Sequence, residues 1–230
     1  VTNKLIIALR GDLVRQWRYQ LIGAAVLVTA LYSLILIPMK QHELDKAMLF
    51  LIFSDPVALG MLFIGSLILF ERTDRTLEAI VITPLKRWQY LWSKALSLTL
   101  IALACSVAMA LVGFGWRVNW FWYLVGIALS SFIFVFLGFA IVTTCRTFNQ
   151  YIMKMGIYLI PVALPLLNYA GVTDTKLWYI IPTQATLILM NTIVEAQLVG
   201  DIIYAVLYLL LWCVGSFYFA MRAFDHYLSR

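Results

Sequence analysis

The chain has 230 residues, 63% hydrophobic and 12% charged, with a net charge of +6. Soluble domains run at about 45–50% apolar and about 25% charged, so this composition excludes a soluble globular protein and indicates an integral membrane one. Crossing a hydrocarbon core of ~30 Å takes roughly 20 apolar residues as helix, which leaves room for about six spans and no sizeable soluble domain. The basic residues flank the apolar stretches, so anionic lipid and topology account for them better than nucleic acid does. Cys105, Cys145 and Cys213 lie far apart, with neither zinc spacing nor a disulfide framework.

In chain order, residues 3–19 place Leu5, Leu9, Leu13 and Trp17 at every fourth position, with Lys4, Arg10, Arg15 and Arg18 off that stripe. This pattern predicts an amphipathic helix in the membrane surface, its cations toward lipid phosphates. The opening Val1-Thr2-Asn3-Lys4 has no signal-peptide pattern, so the first span is expected to remain in the mature protein. That span covers 20–38 and ends at Pro38. The second lies within 48–70 and contains Ser54-Asp55-Pro56. Asp55 is expected to cap a helix whose first residue is Pro56, which makes 43–53 a separate outer segment. As an alternative, Asp55 contacts substrate or a gate. Further spans are expected at 95–114, 121–143, 152–170 and 199–220. Between the last two, 171–198 holds Trp178-Tyr179-Ile180-Ile181-Pro182-Thr183 and an apolar run from Ala185 to Val194 that is too short to span. A re-entrant or interfacial helix fits it, with Thr183 as cap.

Thirteen of the 17 Lys and Arg fall in 1–19, 71–94, 144–154 and 221–230, which puts those segments and both termini in the cytoplasm. The chain has no G-x-x-x-x-G-K-[ST] and no H-E-x-x-H, and its two histidines, His42 and His226, fall near water on opposite sides. Glu195 and Asp201 read as solvated helix ends. Nucleotide hydrolysis and intramembrane proteolysis are therefore not expected of this chain.

The richest polar stretch is 71–94. Thr73 or Asp74 can cap a short helix from Arg75 to Ile82. Leu77, Ile80 and Val81 share one face of it, while Glu71, Asp74, Arg75 and Glu78 give a mixed-charge surface. Pro84 disfavours helix at Thr83. Lys86, Arg87 and Trp88 mark the interface before a helix that continues through Lys94. Such a helix suits either a groove in a soluble partner or the lipid surface, and the residues alone leave both open.

The stretch Phe70-Glu71-Arg72-Thr73-Asp74-Arg75-Thr76-Leu77-Glu78-Ala79-Ile80-Val81-Ile82-Thr83-Pro84-Leu85 resembles the hallmark of ABC-2 type transporter permeases: an acidic-basic cluster ending the second span, a Thr-Leu-Glu core, then Ser/Thr-Pro. Asp55-Pro56, Arg146-Thr147-Phe148-Asn149 and Pro182-Thr183-Gln184 are similar to compact drug-export permeases, including the fluoroquinolone-export type. The resemblance implies an all-α integral membrane fold of six transmembrane helices over 1–230, a single transmembrane domain. Its parts would be an interfacial helix (1–19), a cytoplasmic coupling region (71–94) and an extracellular gate segment (171–198). It also implies two permease halves, identical or related, in a bacterial or archaeal plasma membrane. Two separately encoded ATPase subunits would hold ATP and Mg; this chain would hold no cofactor or metal. Glu71, Arg72, Asp74, Arg75, Thr76, Leu77, Glu78, Ile80, Val81 and Pro84 would engage the ATPase. Substrate would pass along spans two and five, with Asp55, Met61, Phe63, Ser66, Met155, Tyr158, Asn168 and Tyr169 as candidates, each alternatively a packing residue. Pro161 and Pro165 would bend span five. Trp178, Tyr179, Pro182 and Thr183 would belong to the outer gate. Other cargoes (glycan, lipid, peptide, haem) and a stand-alone six-span carrier or membrane enzyme are the competing readings.

Overall fold

The computed structural model describes residues 2–41, 44–74, 86–116, 119–169, 176–195 and 197–228. Among them the regular elements are all helical: α1 (Thr2–Arg18), α2 (Leu21–Gln41), α3 (Asp45–Ala58), a π-helical turn (Leu59–Phe63), α4 (Ile64–Thr73), α5 (Arg87–Phe114), α6 (Trp120–Thr143), α7 (Phe148–Tyr169), a 3₁₀ turn (Lys176–Ile180), α8 (Pro182–Asn191) and α9 (Val199–Leu228). Lipid offers backbone groups no partners, and helices answer this by bonding internally. Among the described residues five stretches are long and apolar enough to cross a membrane: Leu21–Lys40, Asp45–Thr73, Arg87–Phe114, Trp120–Thr143 and Val199–Tyr227. The other expected span, 152–170, is helical as α7 but is not one of these five.

The centre is α6, which packs on α5, α8, α9 and the rod formed by α3, the π turn and α4. Small residues make the approach possible. A Cβ on Gly138 would lie 2.9 Å from the Met61 Cα, and one on Gly60 would lie 2.9 Å from the Phe134 Cβ. The rod and α6 therefore meet almost backbone to backbone at the π turn. Buried hydroxyls tie neighbouring helices: Thr99 donates to Ser131 (3.1 Å), and the Tyr123 phenol donates to the Ser106 carbonyl (2.8 Å).

Three expectations change. The chain does not break at Asp55-Pro56: helix runs without interruption from Asp45 to Thr73. Met48, Leu49, Ile52 and Phe53 are all buried, and this packed face outweighs the local capping signal. Ser54 adds a bond to the Leu51 carbonyl (2.6 Å), the kind of side-chain support that lets a membrane helix carry a proline. Likewise α2 passes through Pro38 to Gln41. Finally, Thr183 is not a cap. Ile181 holds that position with Pro182 as the first helical residue, and the Thr183 hydroxyl donates to the Val162 carbonyl of α7 (2.8 Å).

The stretch before α9 packs into the bundle. Pro182 through Met190 are all buried. Carbonyls of the 3₁₀ turn are satisfied from α9, Tyr179 by the Tyr204 phenol (2.6 Å) and Ile180 by the Tyr208 phenol. Asp201 sits in the first turn of α9, where a carboxylate complements the helix dipole.

Candidate functional site

At the end of the bundle where α4 stops and α5 begins, four charges meet in the interior. Asp12, Glu71 and Lys94 are completely buried and Arg15 is half-buried. The Lys94 ammonium pairs with Asp12 Oδ1 (2.5 Å) and with Glu71 Oε1. Arg15 reaches Asp12 Oδ1 at 2.5 Å and Glu71 Oε1 at 3.3 Å. The remaining carboxylate oxygens accept from Ser93 (to Asp12 Oδ2, 2.7 Å) and Tyr90 (to Glu71 Oε2, 2.7 Å). Two acids and two bases thus cancel, and each carboxylate oxygen has a donor, the condition under which buried ions are tolerated. Burial opposes the charge on Arg15, but Asp12 and Glu71 outweigh it and raise its pKa.

The cluster joins three elements. Asp12 and Arg15 come from α1, Glu71 ends α4, and Tyr90, Ser93 and Lys94 open α5. It therefore clamps α1 to the end of α4 and the start of α5. Gln16 adds a bond to Ser97 (2.7 Å). Tyr19 donates to Asp74 (2.6 Å); burial, then this bond, pushes its phenol up to about 12. Arg72 donates to the Cys145 and Val142 carbonyls at the end of α6 (2.6 and 3.2 Å) and lies 4.4 Å from the Tyr227 ring centre. A cation at a helix C-terminus is favoured by the dipole.

Glu71 and Arg72 therefore do not lie on a charged exterior; both are engaged inside this chain. Arg75, Thr76, Leu77, Glu78, Ile80, Val81 and Pro84 lie outside the described residues. The α1 stripe is also corrected. Leu5, Leu9, Asp12, Leu13 and Gln16 are covered to differing degrees, whereas Trp17 is 73% exposed, with Ile6, Ile7 and Val14 also outward. Asp12 and Gln16 continue the Leu5–Leu9 row at helical spacing, and this polar interruption of an inward row was the missed sequence signal.

A second constellation lies at the π turn. Tyr151 of α7 is wholly buried and donates its phenol to the Met61 carbonyl. A Cβ on Gly65 would fall 2.1 Å from the Tyr151 ring, so only glycine leaves room for it. π turns occur often at functional sites, and this one is pinned by a neighbouring helix.

Beyond that joint, α7 has an apolar cavity on each flank. One of about 380 Å³ lies toward α6 and α9, lined by Met61, Tyr158, Pro161, Pro182, Trp212 and Phe219 among others. The other, about 300 Å³, lies toward α2 and the rod, with Tyr32, Phe53, Leu62, Met155 and Leu159 in its wall. Val162 borders both. Of the expected path residues, Met61 and Tyr158 line the first cavity, beside Pro182 of the expected gate, and Met155 lines the second. Phe63 and Ser66 are buried and line neither of these; the Ser66 hydroxyl donates to the Leu62 carbonyl (2.9 Å). The side chains of Asn168 and Tyr169 lie outside the described residues. Trp178 is half-buried, and Tyr179 is exposed with its ring 5.8 Å from that of Tyr204.

Asp55 is neither a cap nor hydrated at a surface. It is fully buried, and among the described residues neither carboxylate oxygen has a hydrogen-bond partner. A buried polar group without a partner costs about 1–3 kcal/mol. Asp55→Leu is therefore expected to raise the thermal unfolding temperature in detergent. A drop would show that the carboxyl is structurally supported. Greater stability with lost activity would mark a group kept for function at the expense of stability.

The five stretches long and apolar enough to cross a membrane define a multi-pass membrane protein. Residues 3–230 match the model of the Fluoroquinolones export permease protein family, and the chain belongs to that family. Among its relatives are the fluoroquinolones export permease proteins of two strains of Mycobacterium tuberculosis, each 28% identical over 99% of this chain and 98% of the relative.

Proposed function

We propose that this chain is the membrane subunit of an ATP-driven exporter of apolar or amphipathic drug-like compounds, with an ABC-2 type transmembrane domain spanning 1–230. Family membership supports export of such compounds. The observation that carries the reading to particular residues is the aromatic and apolar cavity beside α7. Its volume lies in the lower range of ligand sites, and its lining is mostly apolar with few polar groups, as such sites require. In this reading α7 is the sixth crossing, both termini face the cytoplasm of a bacterial or archaeal cell, and the 3₁₀ turn with α8 forms the outer gate. Two copies of the permease, or two related halves, enclose the path.

This chain has no Walker loop, so the energy comes from two partner ATPase subunits that hold ATP and Mg. Their foothold is the segment Arg75 to Pro84, with Leu77, Ile80 and Val81 as its apolar contact. Closure of the ATPase pair moves that segment. The buried ion cluster passes the movement to α1, α4 and α5 together, because none of the three can shift without exposing an unpaired charge. Binding energy shifts the transporter only by the difference in affinity between its two states, so a clamp of this stiffness is what lets a small contact drive whole helices.

The test is ATP-driven accumulation of a fluoroquinolone in inverted vesicles containing the permease and its ATPase. Trp212→Ala and Tyr158→Ala are each expected to reduce transport by roughly tenfold, the effect of losing a well-packed aromatic contact of about 1.4 kcal/mol, with the protein still inserted. Unchanged transport in both variants would exclude this cavity from the path.

A further inference from the structure

We propose that the elbow between α1 and α2 is a seat for one anionic phospholipid. The chain turns there at Tyr19–Gln20, and Gln20 adopts φ 58°, a left-handed conformation that a residue with a side chain seldom takes. That turn sets the end of α1 over the first turns of α2 and opens a groove of about 660 Å³ lined by Trp17, Arg18, Gln20, Gly23, Ala24 and Leu27. The two ends of the groove differ chemically. At the α1 end is Arg18, exposed and with no ion pair among the described residues, next to the exposed Trp17. Arg10, about two turns back on α1, is likewise exposed. At the α2 end the lining becomes apolar, and a Cβ on Gly23 would meet nothing within 4 Å. The stripe continues up the helix through Leu27, Leu31 and Leu34, exposed by 61%, 52% and 64%.

A single molecule fits both ends: a phosphate-bearing headgroup on Arg18 and an acyl chain laid along Gly23, Leu27 and Leu31. Trp beside a cation at the start of an apolar span is the arrangement that membrane interfaces favour, and guanidinium groups bind phosphate through a fork of donors. The occupant is a lipid rather than a free anion because the groove opens onto the face of a helix long and apolar enough to span. It is anionic because Arg18 and Arg10 pair with no acid among the described residues. The inference is independent of the transport reading, since it requires only that α2 crosses the membrane.

The experiment is native mass spectrometry of the full chain released from mixed micelles containing equal amounts of a phosphatidylglycerol and a phosphatidylcholine with the same acyl chains. The wild type is expected to retain phosphatidylglycerol in preference. Arg18→Gln is expected to weaken that retention about fivefold, the effect of one basic residue at a lipid surface. Gly23→Leu, which keeps the charge but fills the groove, should also weaken it. Lys40→Gln, the same charge change at the far end of α2, should not. Equal retention of the two lipids, or full retention by Arg18→Gln, would overturn the proposal.

Discussion

Replacing Lys94 with methionine is expected to destabilise the folded chain by about 3–5 kcal/mol, the effect of removing one partner from a buried ion pair. The loss follows from geometry. Lys94 is the only fully buried cation among the described residues of the cluster, and it bridges Asp12 and Glu71. Without it two carboxylates face each other in a dry site with Arg15 alone to balance them. Adding Glu71→Gln removes one of the two acids, so the Lys94→Met/Glu71→Gln double variant should recover part of the loss. A coupling of about 1–3 kcal/mol in the double-mutant cycle is the expected result. Thermal unfolding in a fixed detergent measures all three variants. A Lys94→Met variant within about 1 kcal/mol of wild type would show that these ions are effectively solvated and do not clamp α1 to α4 and α5.

Gly65→Ala is expected to act almost as strongly, although it adds one methyl group. The new Cβ would lie 2.1 Å from the Tyr151 ring, so Tyr151 must leave its position and its bond to the Met61 carbonyl. Overpacking costs about 1–3 kcal/mol, and loss of the hydrogen bond adds about 1 kcal/mol. Tyr151→Phe alone should cost only that second part. In a Tyr151→Ala background the clash is gone, so Gly65→Ala should then be nearly neutral. Its persistence there would mean that glycine is required for another reason. Because Tyr151 belongs to α7 and Met61 borders the larger cavity, the same substitution is expected to impair transport.

Much of this architecture could be read from the residues. Apolar run lengths placed the helices, and the run from Ala185, too short to span, falls largely within the short buried helix α8. Met61 and Tyr158 line one cavity beside α7 and Met155 lines the other; a role in transport for any of them remains the proposal above. The misreadings share a cause: local signals were overridden by tertiary packing. Asp55-Pro56 has the form of a helix start, yet Met48, Ile52 and Phe53 bury a continuous face and carry the helix through it. Glu71 and Arg72 sit in a run of charge that looks solvent-facing, but their partners, Lys94, Tyr90 and the carbonyls of α6, come from elements that no local pattern pairs with them. Asp12 carries no local signal that marks it as buried. Only its register with Leu5 and Leu9 places it inward, where the bases that balance it are found.

The central proposal is that partner ATPase subunits drive this chain through residues 75–84. The most direct test is reconstitution into proteoliposomes with and without the partner ATPase, followed by ATP-dependent accumulation of a fluoroquinolone. The account predicts accumulation only with both subunits present. It also predicts loss of accumulation and of drug-stimulated hydrolysis in Leu77→Asp, with the permease still inserted. Accumulation by the permease alone on an ion gradient, or full coupling in Leu77→Asp, would contradict it.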